Sequence, residues 1–248
     1  NYSALELAPN PLSSPSMTKG YPVSDKASAL GFGGQFGIFY NSGKGIKLGA
    51  SYKTEQSFKE FDFENKYLDG STAPNVKFKM NYPAILSAGI GYSKENIDFA
   101  LDYRFVNYEN TDGFAEKGWT PTASVAGFGW KNISVISAGL QYKGVKKLPL
   151  RVGYTYSSNP ISNELAFFST PATAIIKNAF QLGFGYEFTN HFTLNAAYHH
   201  GSSGGSTSGL LLSPMMISSS NPYGAIPGSN VSYKMSTDLV MVGINYSF

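Results

Sequence analysis

The final stretch of the chain alternates apolar with mostly small or polar residues. Every second position in this run is large and apolar: Val240, Val242, Ile244, Tyr246 and Phe248. A period of two predicts a β-strand with one face in an apolar medium and the other in a wetter one. A last strand that ends on an aromatic residue such as Phe248 is typical of bacterial outer-membrane β-barrels.

A short motif, a small residue followed by two others and then tyrosine, recurs nine times within alternating runs. The copies lie at 37–40, 49–52, 89–92, 100–103, 139–142, 153–156, 183–186, 195–198 and 243–246, so we predict nine strands. Short connections at 41–44, 93–96, 144–148 and 189–191 alternate with long ones near 58–76, 109–131, 157–177 and 201–231. Outer-membrane barrels have tight periplasmic turns and long extracellular loops, and this alternation fits them.

Composition agrees with a membrane barrel. Charged residues make up 14% of the chain, against about 25% in soluble domains. Mean hydropathy is only −0.16, and no run approaches the roughly 18 apolar residues of a spanning helix. An antiparallel transmembrane β-barrel reconciles these values because half of each strand is polar. The absence of cysteine excludes disulfides and thiolate metal sites, and a scattered net charge of +3 argues against a nucleic-acid partner.

Strand parity assigns two faces once the motif tyrosines are taken to point toward lipid. The lipid-facing set then includes Ile97, Phe99, Leu101, Leu150, Val152, Tyr154, Phe180, Leu182, Phe184 and Phe188. The strand charges are expected on the inward face: Lys47, Asp98, Asp102, Arg104, Arg151 and Glu187. A lipid-facing Arg or Lys at the midplane costs about 2–4 kcal/mol, which enforces such a partition. A soluble β-sandwich also alternates, but its polar side faces outward and its connections do not alternate in length.

The first 30 residues show little alternation and contain Pro9, Pro11, Pro15, Gly20 and Pro22. We interpret 1–30 as an extracellular loop or irregular lead-in, with a tenth strand as the alternative, and 31–248 as the nine strands. Bacterial barrels have even strand numbers, and no signal peptide is visible. We therefore expect the chain to be the C-terminal part of a longer protein.

Six stretches, taken in order, resemble the C-terminal part of the FadL-type transporters. They are 31–40 (GFGGQFGIFY), 48–54 (LGASYKT), 80–84 (MNYPA), 150–156 with 159–161 (LRVGYTY, NPI), 180–188 (FQLGFGYEF) and 242–248 (VGINYSF). The resemblance implies a fourteen-stranded barrel plugged by an N-terminal hatch in the bacterial outer membrane. It also implies uptake of long-chain fatty acids or other hydrophobic compounds.

A fatty acid needs an apolar groove and a polar group for its carboxylate. The candidate substrate-binding residues are inward apolar or cationic side chains: Phe39, Ile85, Arg104, Ile133, Val135, Arg151, Leu239 and Met241. The alternative for the charged ones is that they pair across neighbouring strands and brace the wall.

Two loop segments are unusually apolar. They are 165–168 (LAFF) and the pair 210–212 (LLL) and 215–217 (MMI). These segments form either an apolar surface that captures substrate or a cap in which they pack on each other. The sequence does not distinguish these two alternatives.

Nothing in the sequence marks a catalytic or metal site, and no cofactor is expected. His191, His199 and His200 are the only histidines, and adjacent strand residues such as the last two point to opposite faces. We expect uptake of hydrophobic molecules, with a protein-binding shuttle of a secretion system as the alternative and a general porin third. Expected partners are the hydrophobic substrate, outer-membrane lipid and lipopolysaccharide, and the barrel assembly machinery through the strand ending at Phe248.

Overall fold

The computed structural model describes residues 2–5, 23–120, 125–173, 175–189 and 191–246. Its strands are β1 Tyr2–Leu5, β2 Val23–Ser24, β3 Ala27–Phe32, β4 Gln35–Asn41, β5 Ile46–Lys53, β6 Ser57–Phe58, β7 Phe61–Lys66, β8 Thr72–Phe78, β9 Ile85–Lys94, β10 Ile97–Val106, β11 Ile133–Tyr142, β12 Leu150–Ser157, β13 Asn178–Glu187, β14 Phe192–Ser202, β15 Thr207–Gly209, β16 Val231–Tyr233 and β17 Ser236–Tyr246. Short 3-10 helices span Tyr108–Asn110, Asn163–Ser169 and Pro214–Met216. Within these ranges, no helix has the length and apolar character needed to cross a membrane.

One nine-stranded antiparallel sheet dominates the structure. Its order is β4-β5-β9-β10-β11-β12-β13-β14-β17, so each strand pairs with the next long strand along the chain. These are the nine strands that the tyrosine motif predicts, and the prediction is confirmed. Phe248, on which the C-terminal prediction ends, lies outside the described residues, and β17 is described up to Tyr246.

The connections alternate in length as expected. Four short ones join β4 to β5, β9 to β10, β11 to β12 and β13 to β14, while the long ones lie at 54–84, 107–132, 158–177 and 203–235. The first long connection is more ordered than predicted because it contains the hairpin β7–β8. Phe61 and Phe63 of that hairpin are almost fully buried.

The lead-in also differs from its expected irregular form. β3 pairs with β1 and β6, and β2 pairs with β7, so these strands form two small sheets separate from the main one. Ala27 and Ala29 of β3 pack with Phe61 and Phe63 in a buried cluster. Alanine and glycine give a weak hydrophobic signal, which is why the alternation of β3 escapes detection in the sequence. The expected loop at 6–22 lies outside the described residues.

Register divides the main sheet into two faces because directly opposed residues project to the same side. One face, the outer face, carries Tyr154, Phe180, Leu182 and Tyr198, which oppose one another along β12, β13 and β14. These side chains are exposed. The other, inner face carries the predicted inward charges, so the parity assignment agrees with the pairing.

Two charged strand residues are corrections to the predicted partition. Lys94, the last residue of β9, and Asp238 of β17 both lie on the outer face, as their partners Ile97 and His200 show. Asp238 accepts hydrogen bonds from Tyr198 Oη and pairs with His200 Nδ1 at 2.9 Å. Each lies at a strand end, near the membrane boundary, where a lipid-facing charge costs only about 0–1 kcal/mol.

The face assignment yields a direct test in the middle of β13. Leu182→Arg places a charge on the outer face and is expected to lower the free energy of unfolding by about 2–4 kcal/mol. Gln181→Arg, the matched inner-face change, is expected to alter it by about 1 kcal/mol at most. Urea unfolding in phospholipid vesicles measures both, and equal losses for the two variants would contradict the assignment.

Candidate functional site

The candidate residues all lie on the inner face, and three strands, β9, β10 and β11, bring half of them together at the long-loop end. Ile85 opposes Val106, which in turn opposes Ile133. In the next row Arg104 opposes Val135. We call these five residues the upper lumen patch. Val106, which is almost fully buried, is a member that the sequence analysis missed, although its position two residues after Arg104 on β10 gives it the same parity.

Two cations border the apolar part of this patch. Arg104 has no hydrogen-bond or ion-pair partner among the described residues. Lys53 opposes Ile85, and its Nζ lies 4.5 Å from the centre of the Tyr82 ring. Asp102, the nearest acidic residue on β10, lies against Gly89 of the neighbouring strand. The patch therefore combines apolar side chains with positive charges that form no ion pair with a described carboxylate.

Three other candidates lie on the edge strands, away from the patch. Phe39 is on β4 opposite Gly49, and Leu239 and Met241 are on β17. All three are at least half exposed. The structure thus separates them from the upper lumen patch, and they remain predictions.

Arg151 belongs to a polar belt at the short-turn end of the inner face. Its Nε donates to Gln141 Oε1 at 2.5 Å. The Gln141 amide donates in turn to Asp98 Oδ2 at 2.8 Å, and Lys143 Nζ lies 3.0 Å from Asp98 Oδ1. A chain of contacts thus crosses β10, β11 and β12.

The belt continues across β13, where glycine leaves room for it. Arg151 Nη1 donates to Asn195 Oδ1 on β14 at 3.0 Å. A Cβ added at Gly185 would meet this Asn195 oxygen at 3.1 Å and Pro149 Cγ at 3.2 Å. A depression of about 410 Å³ lies beside the belt, and Lys47 and Ser93 are among the residues that line it. These contacts favour bracing for Arg151 and leave Arg104 as the cation with open donors.

Above the wall, three long loops interlock into a single unit that we call the loop cap. It comprises the connections 107–132, 158–177 and 203–235 in their described parts. Trp130, Ile161, Ala166 and Ile175 form one buried cluster, and Leu165, Phe168 and Leu212 form a second. The apolar segment 165–168 is therefore largely internal to the cap.

Hydrogen bonds tie the same loops together. Trp130 Nε1 donates to Ser169 Oγ at 2.9 Å and Trp119 Nε1 donates to the carbonyl of Tyr223 at 2.9 Å. Tyr233 Oη donates to the carbonyl of Ala166 at 3.0 Å. Each bond joins a different pair of the three loops, so every loop of the cap is tied to both others.

The second apolar loop segment behaves differently. Leu212 is buried in the cap, but its neighbours form an exposed tip: Leu210, Leu211, Met215, Met216 and Ile217. Met215 is 81% exposed. The chain from 201 to 233 contains no Asp, Glu, Lys, Arg or His, so this tip is apolar and uncharged. Each of the two alternatives for the apolar loops thus applies to one segment: 165–168 packs inside the cap, and 215–217 is exposed.

The histidines do not converge on a chemical centre. His199 lies on the inner face with its Nδ1 3.2 Å from Gln181 Nε2, and His200 lies on the outer face beside Asp238. In the described ranges, no group of three or more His, Cys, Asp or Glu residues is arranged to hold a metal ion.

The comparisons with known proteins agree on one family. The model for outer membrane protein transport proteins (OMPP1/FadL/TodX) matches residues 8–212. The toluene transporter TodX of Pseudomonas putida matches with a TM-score of 0.60 and 17% identity over 92% of this chain and 53% of its own. The toluene transporter TbuX of Ralstonia pickettii gives 0.54 and 16% over 97% and 55%.

A Pseudomonas aeruginosa FadL homologue gives a TM-score of 0.59 at 13% identity, over 98% of this chain and 60% of its own. The chain thus spans little more than half the length of these solved structures. At such identities the likeness concerns the fold, which is a part of a FadL-type barrel wall. No curated protein sequence matches the chain.

The half-buried side chain of Tyr233 makes the loop cap sensitive to alkali. Burial raises the pKa of Tyr233 to about 12, above the value near 10 of a free tyrosine. The neutral form is therefore favoured in the folded cap, and its stabilisation is complete below about pH 10 and lost as the pH rises through about 12. Burial also raises the pKa of Tyr108 in the same cap.

We expect Tyr233→Phe to weaken the cap at neutral pH by about 0.5–1.5 kcal/mol through the lost hydrogen bond. The same variant should show a smaller loss of cap stability between about pH 10 and 12. Trp119 and Trp130, the two tryptophans of the chain, both lie in the cap, so intrinsic fluorescence during urea titrations measures it. Tyr52→Phe, outside the cap, serves as the control and should keep the alkaline loss. An undiminished loss in Tyr233→Phe would contradict the assignment.

Proposed function

Because the chain belongs to the OMPP1/FadL/TodX family of outer membrane transport proteins, we propose that the protein takes up hydrophobic small molecules across the bacterial outer membrane. The match covers most of the chain, and the nine-stranded wall has the fold of the family's barrels. Family members are transport proteins, and we propose no catalytic role for this one.

The observation that carries the proposal is the upper lumen patch. Ile85, Ile133 and Val135 place partly exposed apolar surface, beside the buried Val106, on an inner wall that elsewhere holds mainly glycine and polar residues. Burial of a hydrocarbon tail against such a surface contributes about 0.8 kcal/mol per methylene group. The exposed tip of the loop cap supplies a second apolar surface, on the outside, where a hydrophobic molecule is first captured.

Arg104 supports a finer choice of substrate. A carboxylate that reaches the patch finds a guanidinium without a described partner, and a charge-assisted hydrogen bond of this kind contributes about 1.5–3 kcal/mol. Lys53 adds a second positive charge beside Ile85. We therefore propose a long-chain fatty acid as the substrate, with its headgroup at Arg104 and its tail on the patch. A neutral aromatic such as toluene, which the named relatives TodX and TbuX transport, would use the apolar side chains alone.

The alternative function, a shuttle that binds a secreted protein, is less well supported. Such a role suits a polar recognition surface on the loops, whereas the exposed tip is uncharged and apolar. Lipopolysaccharide contact and recognition by the barrel assembly machinery remain predictions about partners.

Uptake of a labelled long-chain fatty acid by cells that carry the intact protein tests the function, with toluene uptake measured in parallel. Arg104→Gln is expected to lower fatty-acid uptake by about tenfold or more because the charge-assisted bond is lost. Toluene uptake should be unchanged, and Arg104→Lys should restore part of the fatty-acid uptake.

The outcomes separate two claims. Wild-type uptake of both compounds no better than that of vector-only cells would overturn the proposed function. An equal loss of both substrates in Arg104→Gln would leave uptake intact as a function but remove the headgroup role of Arg104.

A further inference from the structure

The methionines of the chain occupy very different surroundings. Met80 packs against the buried cluster of Phe61 and Phe63. Met215 is 81% exposed, and its neighbour Met216 is 46% exposed. The two adjacent thioethers therefore stand in solvent at the exposed tip of the loop cap, on the side of the barrel that long loops occupy.

A thioether in such a position is open to two-electron oxidation. Hydrogen peroxide transfers one oxygen atom to the sulfur: the O–O bond breaks, an S=O bond forms, water leaves, and the sulfur is oxidised by two electrons to a sulfoxide. The product is polar and chiral, so an apolar methionine surface loses its character on oxidation. Enzymatic reduction with a thiol donor restores the thioether.

The backbone of the tip is held independently of the methionine side chains. Ser213 Oγ accepts a hydrogen bond from the amide of Met215 at 3.3 Å, and Asn221 Nδ2 donates to the carbonyl of Met216 at 3.1 Å. The amide of Ser213 donates to the carbonyl of Gly224 at 2.8 Å. Oxidation of the two sulfurs therefore changes the chemistry of the surface without removing a bond that shapes the loop.

We propose that Met215 and Met216 form an oxidation site at which peroxides convert the capture surface from apolar to polar. The modification lowers capture of hydrophobic molecules from outside. The expected loss of capture rests on the proposed uptake function, whereas the oxidation of the two methionines does not.

The first experiment follows oxidation directly. The intact protein in lipid nanodiscs is treated with hydrogen peroxide, and peptide mass spectrometry follows each methionine over time. Met215 is expected to oxidise first because it is the most exposed of the described methionines, and the partly buried Met80 about tenfold more slowly. Equal rates for Met215 and Met80 would overturn the proposed site.

The second experiment links oxidation to capture. Cells that carry the intact protein are treated briefly with peroxide, and uptake of labelled fatty acid and of toluene is measured. Wild-type uptake of both should fall at least about twofold, since the tip acts before the headgroup is recognised. The double variant Met215→Leu, Met216→Leu should retain its uptake after peroxide because leucine has no oxidisable sulfur. Met235→Leu, which alters a methionine outside the tip, should remain as sensitive as wild type.

Failures of the two proposals are distinguishable. Oxidation of Met215 in a protein that transports neither compound would overturn uptake and leave the oxidation site standing. Peroxide sensitivity that persists in the double variant would overturn the role of the tip while uptake itself remains established.

Discussion

Backbone hydrogen bonding between neighbouring strands is the constraint on which the rest of the structure depends. In the hydrocarbon core each N–H and C=O group must find a partner within the protein, so every inner strand of the sheet is paired on both sides. Because side chains alternate with a period of two, the register of this pairing decides every inward and outward position at once. The same register that places Leu182 toward lipid places Arg104 beside Val135 on the inner face.

The sequence predicts strands correctly where the two-residue period of apolar residues is strong. It does not predict them where that period is weak. The tyrosine motif predicts all nine strands of the main sheet because large outward residues mark each one. β3 escaped prediction because its buried face carries Ala27 and Ala29, which are poor markers of burial. The outward position of Asp238 follows from its parity with Val240 and Tyr246, whereas its pairing with His200 depends on contact between two strands.

In the candidate site, too, the sequence alone does not decide which residues have which role. Arg104 and Arg151 have the same parity and the same chemistry, so the sequence could not rank them. Their neighbours on other strands separate them: Gln141 and Asn195 bind Arg151, whereas Val135 opposes Arg104. Likewise, both apolar loop segments look alike in composition, yet Phe168 meets partners from other loops while Met215 meets solvent. Such distinctions arise only from contacts between distant parts of the chain.

The lack of charge between residues 201 and 233 has a consequence for how the protein works in different media. Interactions between exposed charges weaken as ionic strength rises, with a screening length of about 10 Å at 0.1 M salt. A surface without charges is not subject to this screening. In the proposed uptake, capture at the tip is therefore not weakened by charge screening, whereas binding of a carboxylate at Arg104 is. The two proposed steps should therefore differ in how strongly ionic strength acts on them through charge.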